Sequence, residues 1–174
     1  MPLLPIIKLP DPVLRLKADP VERVDDDLRR TLDDMLETMY DAPGVGLAAP
    51  QVNISRRFIV VDAGNRTKEG EEQRAPLCLI NPEIVDRGDE MSSYEEGCLS
   101  LPDVTVDIAR PTSIKVRYID RDGADQELDA EGFLATVIQH EVDHLDGRLI
   151  IDYLSSLKRD VIVRRFKKLA RQNA

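Results

Sequence analysis

His140-Glu141-Val142-Asp143-His144 sets the chain's two histidines four residues apart, with a carboxylate directly after the first. On a helix, side chains at i and i+4 project from one face, so two imidazole nitrogens can meet one cation. Glu141 is then within reach of a water on that cation, where it can serve as general base and acid. A catalytic cation needs a third protein ligand and an open fourth position. Metzincin-type motifs supply a third histidine after a downstream glycine; Gly147 matches the glycine, but Ile150 stands where that histidine belongs. Thermolysin-type sites use a downstream glutamate, and none follows Glu141. Asp152 and Asp160 remain as acidic candidates. The stronger candidate lies upstream, in Glu95-Glu96-Gly97-Cys98-Leu99-Ser100. Cys98 sits beside a glycine in a polar, turn-like stretch, whereas Cys78 sits in an apolar strand, as a small buried hydrophobe does.

Two imidazoles and one thiolate suit Fe(II), Zn(II) or Co(II) and exclude Mg and Ca as preferred ions. Such an ion lowers the pKa of a bound water to near neutrality. The implied reaction is hydrolysis of an amide or related carbonyl compound. The oxyanion that develops needs donors besides the cation. Candidates are the side-chain amide of Gln51 and the backbone N–H of Leu99. A purely structural cation site would need four protein ligands, and with Cys78 set aside no further Cys or His is available.

The elements that must position these groups follow from periodicity. Leu28, Leu32, Met35, Leu36 and Met39 fall at helical spacing behind Asp25-Asp26-Asp27, and Pro43-Gly44 ends that helix. A short helix begins near Asp11-Pro12 in an otherwise extended opening segment that starts at Met1-Pro2. Gly44-Val45-Gly46-Leu47-Ala48-Ala49-Pro50-Gln51 is too rich in Gly, Ala and Pro to read as regular structure. Period two takes over from Arg57 to about Ala130, with strands at Phe58–Val61, Leu77–Ile80 and Ser113–Tyr118. Gly64 to Gln73 reads as a charged loop, and Arg121-Asp122-Gly123 as a turn. After Gly132 the helical period returns, closed by Gly147. A last helix starts near Ser155-Ser156 with Leu157, Val161, Phe166 and Leu169 on its apolar side. The expected fold is α+β: antiparallel sheets packed around a central metal-binding helix, with an N-terminal and a C-terminal helix.

Composition agrees with one catalytic domain over residues 1–174, since 42% hydrophobic and 33% charged residues describe an ordinary globular chain. Aromatics at 4% and the absence of Trp exclude a base-stacking platform, and a net charge of −9 repels polyanions from the body. No sequence-specific nucleic-acid partner and no membrane partner are expected, because no apolar run approaches the roughly 18 residues of a span. The opening Met1-Pro2-Leu3-Leu4-Pro5 lacks the order of an export signal, and two Cys are too few for a disulfide scaffold, so a cytoplasmic, reducing location is expected.

Gly44–Gln51, Glu95–Ser100 and Gln139–His144, in that order, resemble the three signature motifs of the peptide deformylases, and the similarity extends over nearly the whole chain. The resemblance implies that Cys98, His140 and His144 are the metal ligands and Glu141 the general base and acid. Gln51 and the Leu99 amide would be the oxyanion donors. It implies an N-formyl-methionyl nascent peptide as substrate, with formate and a free amine as products. Backbone groups of Val45, Gly46 and Gly97 would pair with that peptide in strand fashion. Val45, Tyr94, Glu96, Phe133, Thr136 and Val137 would line the methionine pocket. By the same resemblance the native cation is Fe(II), with Zn(II), Ni(II) or Co(II) as substitutes. The chain departs from many members at Thr105, where a basic or aromatic residue is common, and at Phe133, where a smaller aliphatic one is.

Residues 155–174 carry seven Lys or Arg against the single acid Asp160, a net +6 that leaves −15 on the rest. A basic helix of about 155–171 on an acidic body concentrates attraction to polyanions at one end. With the family resemblance, this implies docking on the ribosome near the exit tunnel.

Overall fold

A computed structural model of the chain describes residues 3–66 and 72–173. Met1-Pro2 of the expected extended opening and residues 67–71 of the expected charged loop lie outside the described residues. The first long helix, α1 (Asp26–Asp41), begins where the Asp25 carboxylate accepts the Leu28 N–H at 2.9 Å. Strands β1 (Gly46–Ala48) and β2 (Phe58–Val61) follow, then the short antiparallel pair β3 (Asn65–Arg66) and β4 (Glu72–Gln73). Next come β5 (Leu77–Arg87), β6 (Met91–Cys98), β7 (Leu101–Pro111), β8 (Ser113–Ile119) and β9 (Asp125–Glu131). The chain closes with α2 (Gly132–Leu145) and α3 (Ser156–Gln172).

The main sheet has the order β1-β2-β5-β8-β9, antiparallel throughout. α1 covers one face and α2 the other. Phe58, Val60 and Ile80 pack with Leu28, Leu32, Met35 and Met39 of α1. Ile59, Val61, Leu79 and Val116 pack with Ala135, Ile138 and Leu145 of α2. A strand covered on both faces has no reason to alternate, and all four residues of β2 are buried where period two was expected. β6 and β7 form a separate two-stranded sheet. Its inward residues Val104, Val106 and Ile108 join Leu9, Leu14, Leu149 and Ile150 in a third apolar cluster. The α+β fold with antiparallel sheets around one central helix is therefore observed.

Three local expectations are corrected. Gly46–Ala48 is a strand and Ala49–Val52 a 3-10 turn, because β1 borrows its regularity from β2 through the pairs Gly46↔Val61 and Ala48↔Ile59. Glu95 to Cys98 is strand rather than turn, since eight consecutive residues of β6 pair with β7 and only Leu99-Ser100 turn. On α3 the core-facing groups are Ile162, Val163 and Phe166, while Leu157, Val161 and Leu169 point to solvent. α3 rests on the protein chiefly at its Phe166 side, so its apolar pattern only partly reports burial.

Candidate active site

α2 carries both histidines and is sharply terminated. The Gly147 N–H bonds the His144 carbonyl at 3.1 Å and the Arg148 N–H bonds the Asp143 carbonyl at 2.9 Å. That pair of bonds requires the left-handed conformation that Gly147 adopts at φ 73°. A Cβ there would also sit 2.4 Å from the Arg15 carbonyl oxygen. The third group arrives on β6. Its register against β7 jumps between Gly97↔Thr105 and Cys98↔Leu101, and this bulge aims Cys98 toward α2. The Cys98 sulfur and one ring nitrogen each of His140 and His144 lie within 4.8 Å of one another, and Cys98 Sγ is 3.3 Å from His144 Nε2. Metal–nitrogen bonds of about 2.0 Å and a metal–sulfur bond of about 2.3 Å in a tetrahedron put ligand atoms roughly 3.3–3.6 Å apart. The donor set thus fits a thiophilic divalent cation. Asp152, an alternative third ligand, is instead bound to Arg15 at 2.6 Å and accepts the Leu149 N–H; Asp160 lies on α3.

The two histidines are held differently. His140 Nδ1 is 2.9 Å from Glu96 Oε1, which directs its Nε2 inward. Glu96 is gripped in turn by Arg110, with Nε at 2.7 Å and Nη2 at 3.0 Å from its two oxygens. Burial would raise the Glu96 carboxyl, but its bonds to His140 and Arg110 hold it below the ordinary value. His144 is buried and its Nδ1 has no partner among the described residues. Burial pushes His144 well down, which favours the neutral imidazole that can donate a lone pair.

Glu141 stands between them, its Oε1 4.0 Å from both Nε2 atoms. Burial pushes its carboxyl up to about 7, where a carboxylate can both take and return a proton near neutral pH. Gly46 makes room for it: a Cβ on that residue would lie 2.7 Å from Glu141 Oε2. Gln51 is oriented by its own Oε1, which accepts the Ala48 N–H at 2.9 Å. Its Nε2 then faces the site, 3.0 Å from Ser100 Oγ and 3.6 Å from Cys98 Sγ. The opening segment braces this corner from behind, with Ile7 N–H on the Gln51 carbonyl and Leu9 N–H on the Ser100 carbonyl.

A cleft of about 410 Å³ opens over these groups. Val45, Gly46, Tyr94, Glu96, Gly97, Phe133, Thr136 and Val137 all line it, together with Gln51, Cys98, Leu99, His140 and Glu141. Only His144 of the anticipated residues lies beneath it rather than on its wall. Phe133 meets Tyr94 edge-on at 6.1 Å between ring centres, so the bulkier residue narrows the mouth. Thr105 stands opposite Gly97 on β7.

Sequence reasoning missed Ser100, Arg110, Asp143 and Tyr153. Arg110 carried a usable signal: it continues the inward alternation Val104, Val106, Ile108, and a charge on the buried face of a strand demands partners. It has them in Glu96, Asp143 and Tyr153.

Residues 3–160 match the polypeptide deformylase family. A peptide deformylase of Rhizobium meliloti (strain 1021) is 56% identical over 171 residues, which span 98% of this chain and 96% of the relative. The crystal structure of peptide deformylase from Ehrlichia chaffeensis in complex with actinonin superposes with a TM-score of 0.88 at 43% identity, covering 97% of this chain and 98% of that one. A Met-Ala-Ser-bound peptide deformylase from Acinetobacter baumannii superposes with a TM-score of 0.80 at 38% identity, covering 88% and 99%.

Proposed function

The chain belongs to the polypeptide deformylase family, and from that premise we propose how its residues divide the reaction. As a member it is an enzyme that removes the N-formyl group from newly made polypeptides. The formyl C–N bond breaks, giving formate and a free N-terminal amine. Cys98, His140 and His144 hold the cation; the observation that carries this reading is the convergence of their three ligand atoms within 4.8 Å. When bound, the cation polarises the formyl carbonyl and makes a water nucleophilic near neutral pH. Glu141 accepts the water's proton and returns it to the departing amine, a role supported by its burial and its place between the imidazoles. Gln51 Nε2 and the Leu99 N–H stabilise the developing oxyanion.

Among the described residues β1 and β6 are each paired on one side only, so Gly46 and Gly97 lie on open strand edges lining the cleft, with Val45 beside them although its carbonyl already accepts the Asp62 N–H. An extended peptide inserted between them gains backbone bonds whatever its sequence, while the cleft wall receives the formyl-methionine side chain. The relative bound to Met-Ala-Ser supports a short peptide as the ligand class. The cation is Fe(II), with Zn(II), Ni(II) or Co(II) as substitutes, a choice supported by the mixed nitrogen and sulfur donors. Residues 1–174 act as one catalytic unit in the cytoplasm, and no helix of the described residues is long and apolar enough to cross a membrane. The basic α3 docks on the ribosome near the exit tunnel, supported by its +6 charge against a body of −15.

The test is Cys98→Ala, assayed for formate release from formyl-Met-Ala-Ser and for bound metal. Loss of both supports this reading; retained metal and formate release would remove Cys98 from the ligand set and favour an acidic third ligand. Faster inactivation in air than under argon is the expected signature of Fe(II), to which thiolate oxidation contributes.

A further inference from the structure

We propose that Tyr153 is a positioning residue for the metal ligand His140, acting through Asp143, Arg110 and Glu96; the inference rests on the Cys98/His140/His144 reading of the cation site. Tyr153 lies in a 3-10 turn, Ile150–Tyr153, that follows α2 and lies outside the cleft. Its hydroxyl donates to Asp143 Oδ2 at 2.7 Å. Arg110 Nη1 donates to the same Asp143 oxygen at 3.0 Å and to the Tyr153 oxygen at 3.2 Å. The remaining edge of the guanidinium is spent on both oxygens of Glu96, which meets His140 Nδ1. One chain of hydrogen bonds therefore runs from the turn after α2, through β7 and β6, to the outer nitrogen of one metal ligand.

The arrangement has a division of labour. Arg110 is buried between two carboxylates that compete for one cation. The Tyr153 hydroxyl donates to one of them and so lowers the pull of Asp143 on Nη1, leaving the Nε/Nη2 edge squarely on Glu96. Without the hydroxyl, Asp143 draws the guanidinium toward itself and Glu96 loses its fixed orientation on His140. Among the described residues Glu96 is the one side-chain partner of His140 Nδ1, so no second tether compensates there. The ring itself is flanked by two guanidinium groups, Arg148 at 4.1 Å and Arg110 at 5.0 Å from its centre.

The experiment compares Tyr153→Phe with Arg148→Met, each loaded with Co(II) or Zn(II). Metal release to a chromophoric chelator, the Co(II) visible spectrum and KM for formyl-Met-Ala-Ser are the readouts. Tyr153→Phe is expected to release metal roughly tenfold faster, as for other outer partners of ligand histidines. Its Co(II) bands should shift, and KM should change less than the metal release rate because Tyr153 itself lies outside the cleft and acts there only through Glu96. Arg148→Met, which keeps the hydroxyl, should release metal at the parental rate. Parental release and spectrum in Tyr153→Phe, or equal acceleration in Arg148→Met, overturn the proposal. If Cys98→Ala holds metal as firmly as the parent, the site reading falls and the proposal with it. Normal Cys98 dependence with an unchanged Tyr153→Phe overturns the proposal alone.

Discussion

α2 and α3 are helices of 14 and 17 residues, yet they meet the rest of the molecule in opposite ways. α2 buries eight residues, among them Glu141 and His144, and is covered by β1, β2, β8 and β9. α3 buries Phe166 alone and exposes Leu157 at 71%. The difference shows what enclosure does to charged groups. On α2 burial pushes the Glu141 carboxyl up to about 7 and His144 well down, which suits these side chains to the proposed roles of base and ligand. The basic groups of α3, such as Arg164, Lys167 and Lys168, are solvated, and their fields act only collectively and at long range. Chemistry sits on the enclosed helix and charge presentation on the open one.

That contrast breaks first at Glu141. Glu141→Gln keeps the volume and removes the proton acceptor, so kcat for formate release should fall by about 10²–10⁴-fold. Metal content, measured by atomic absorption, should stay near parental, since the substitution leaves all three ligand side chains in place. A smaller loss is expected from Gly46→Ala. The added methyl would overlap Glu141 Oε2 at 2.7 Å and displace the carboxylate, and a displacement approaching 1 Å costs up to about 10²-fold in rate. Thermal unfolding of that variant tests whether the defect is local; a midpoint within a few degrees of the parent is expected.

On the other helix the effects fall on stability and association. Phe166→Ala empties a buried position between α3 and the β7 cluster and should destabilise the protein by about 3 kcal/mol, read by urea unfolding, with kcat near parental in the folded fraction. Arg164→Glu with Lys168→Glu should change kcat by less than about twofold while weakening co-sedimentation with ribosomes at low salt. Reversing these exposed charges leaves Phe166 in place, so it separates docking from folding as a deletion of α3 cannot. A rate loss as large as that of Gly46→Ala would erase the distinction between the two helices.

The legibility of the sequence followed the locality of each signal. α1 and α2 were readable because their caps, Asp25 and Gly147, and their apolar periods lie within a few residues. β1 was not, because Gly46-Leu47-Ala48 has no strand propensity of its own and becomes a strand by pairing with β2. α3 misled because Leu157, Val161 and Leu169 follow a helical period yet stay largely exposed. At the site, Gln51, Cys98, Leu99 and Glu141 were identifiable by residue type and motif, whereas Arg110, Asp143 and Tyr153 resemble ordinary charged or polar positions until their partners are known.

By itself the sequence determined the donor atoms and one spacing: two imidazoles a helical turn apart with a carboxylate between, and a thiol available elsewhere. That much is settled by covalent order and the 3.6-residue turn. Tertiary structure decided which thiol completes the set, since only the bulge in β6 brings Cys98 rather than Cys78 to α2. It also decided the protonation of Glu141 and the tether on His140, because desolvation and hydrogen-bond partners are properties of the assembled interior and have no counterpart along the chain.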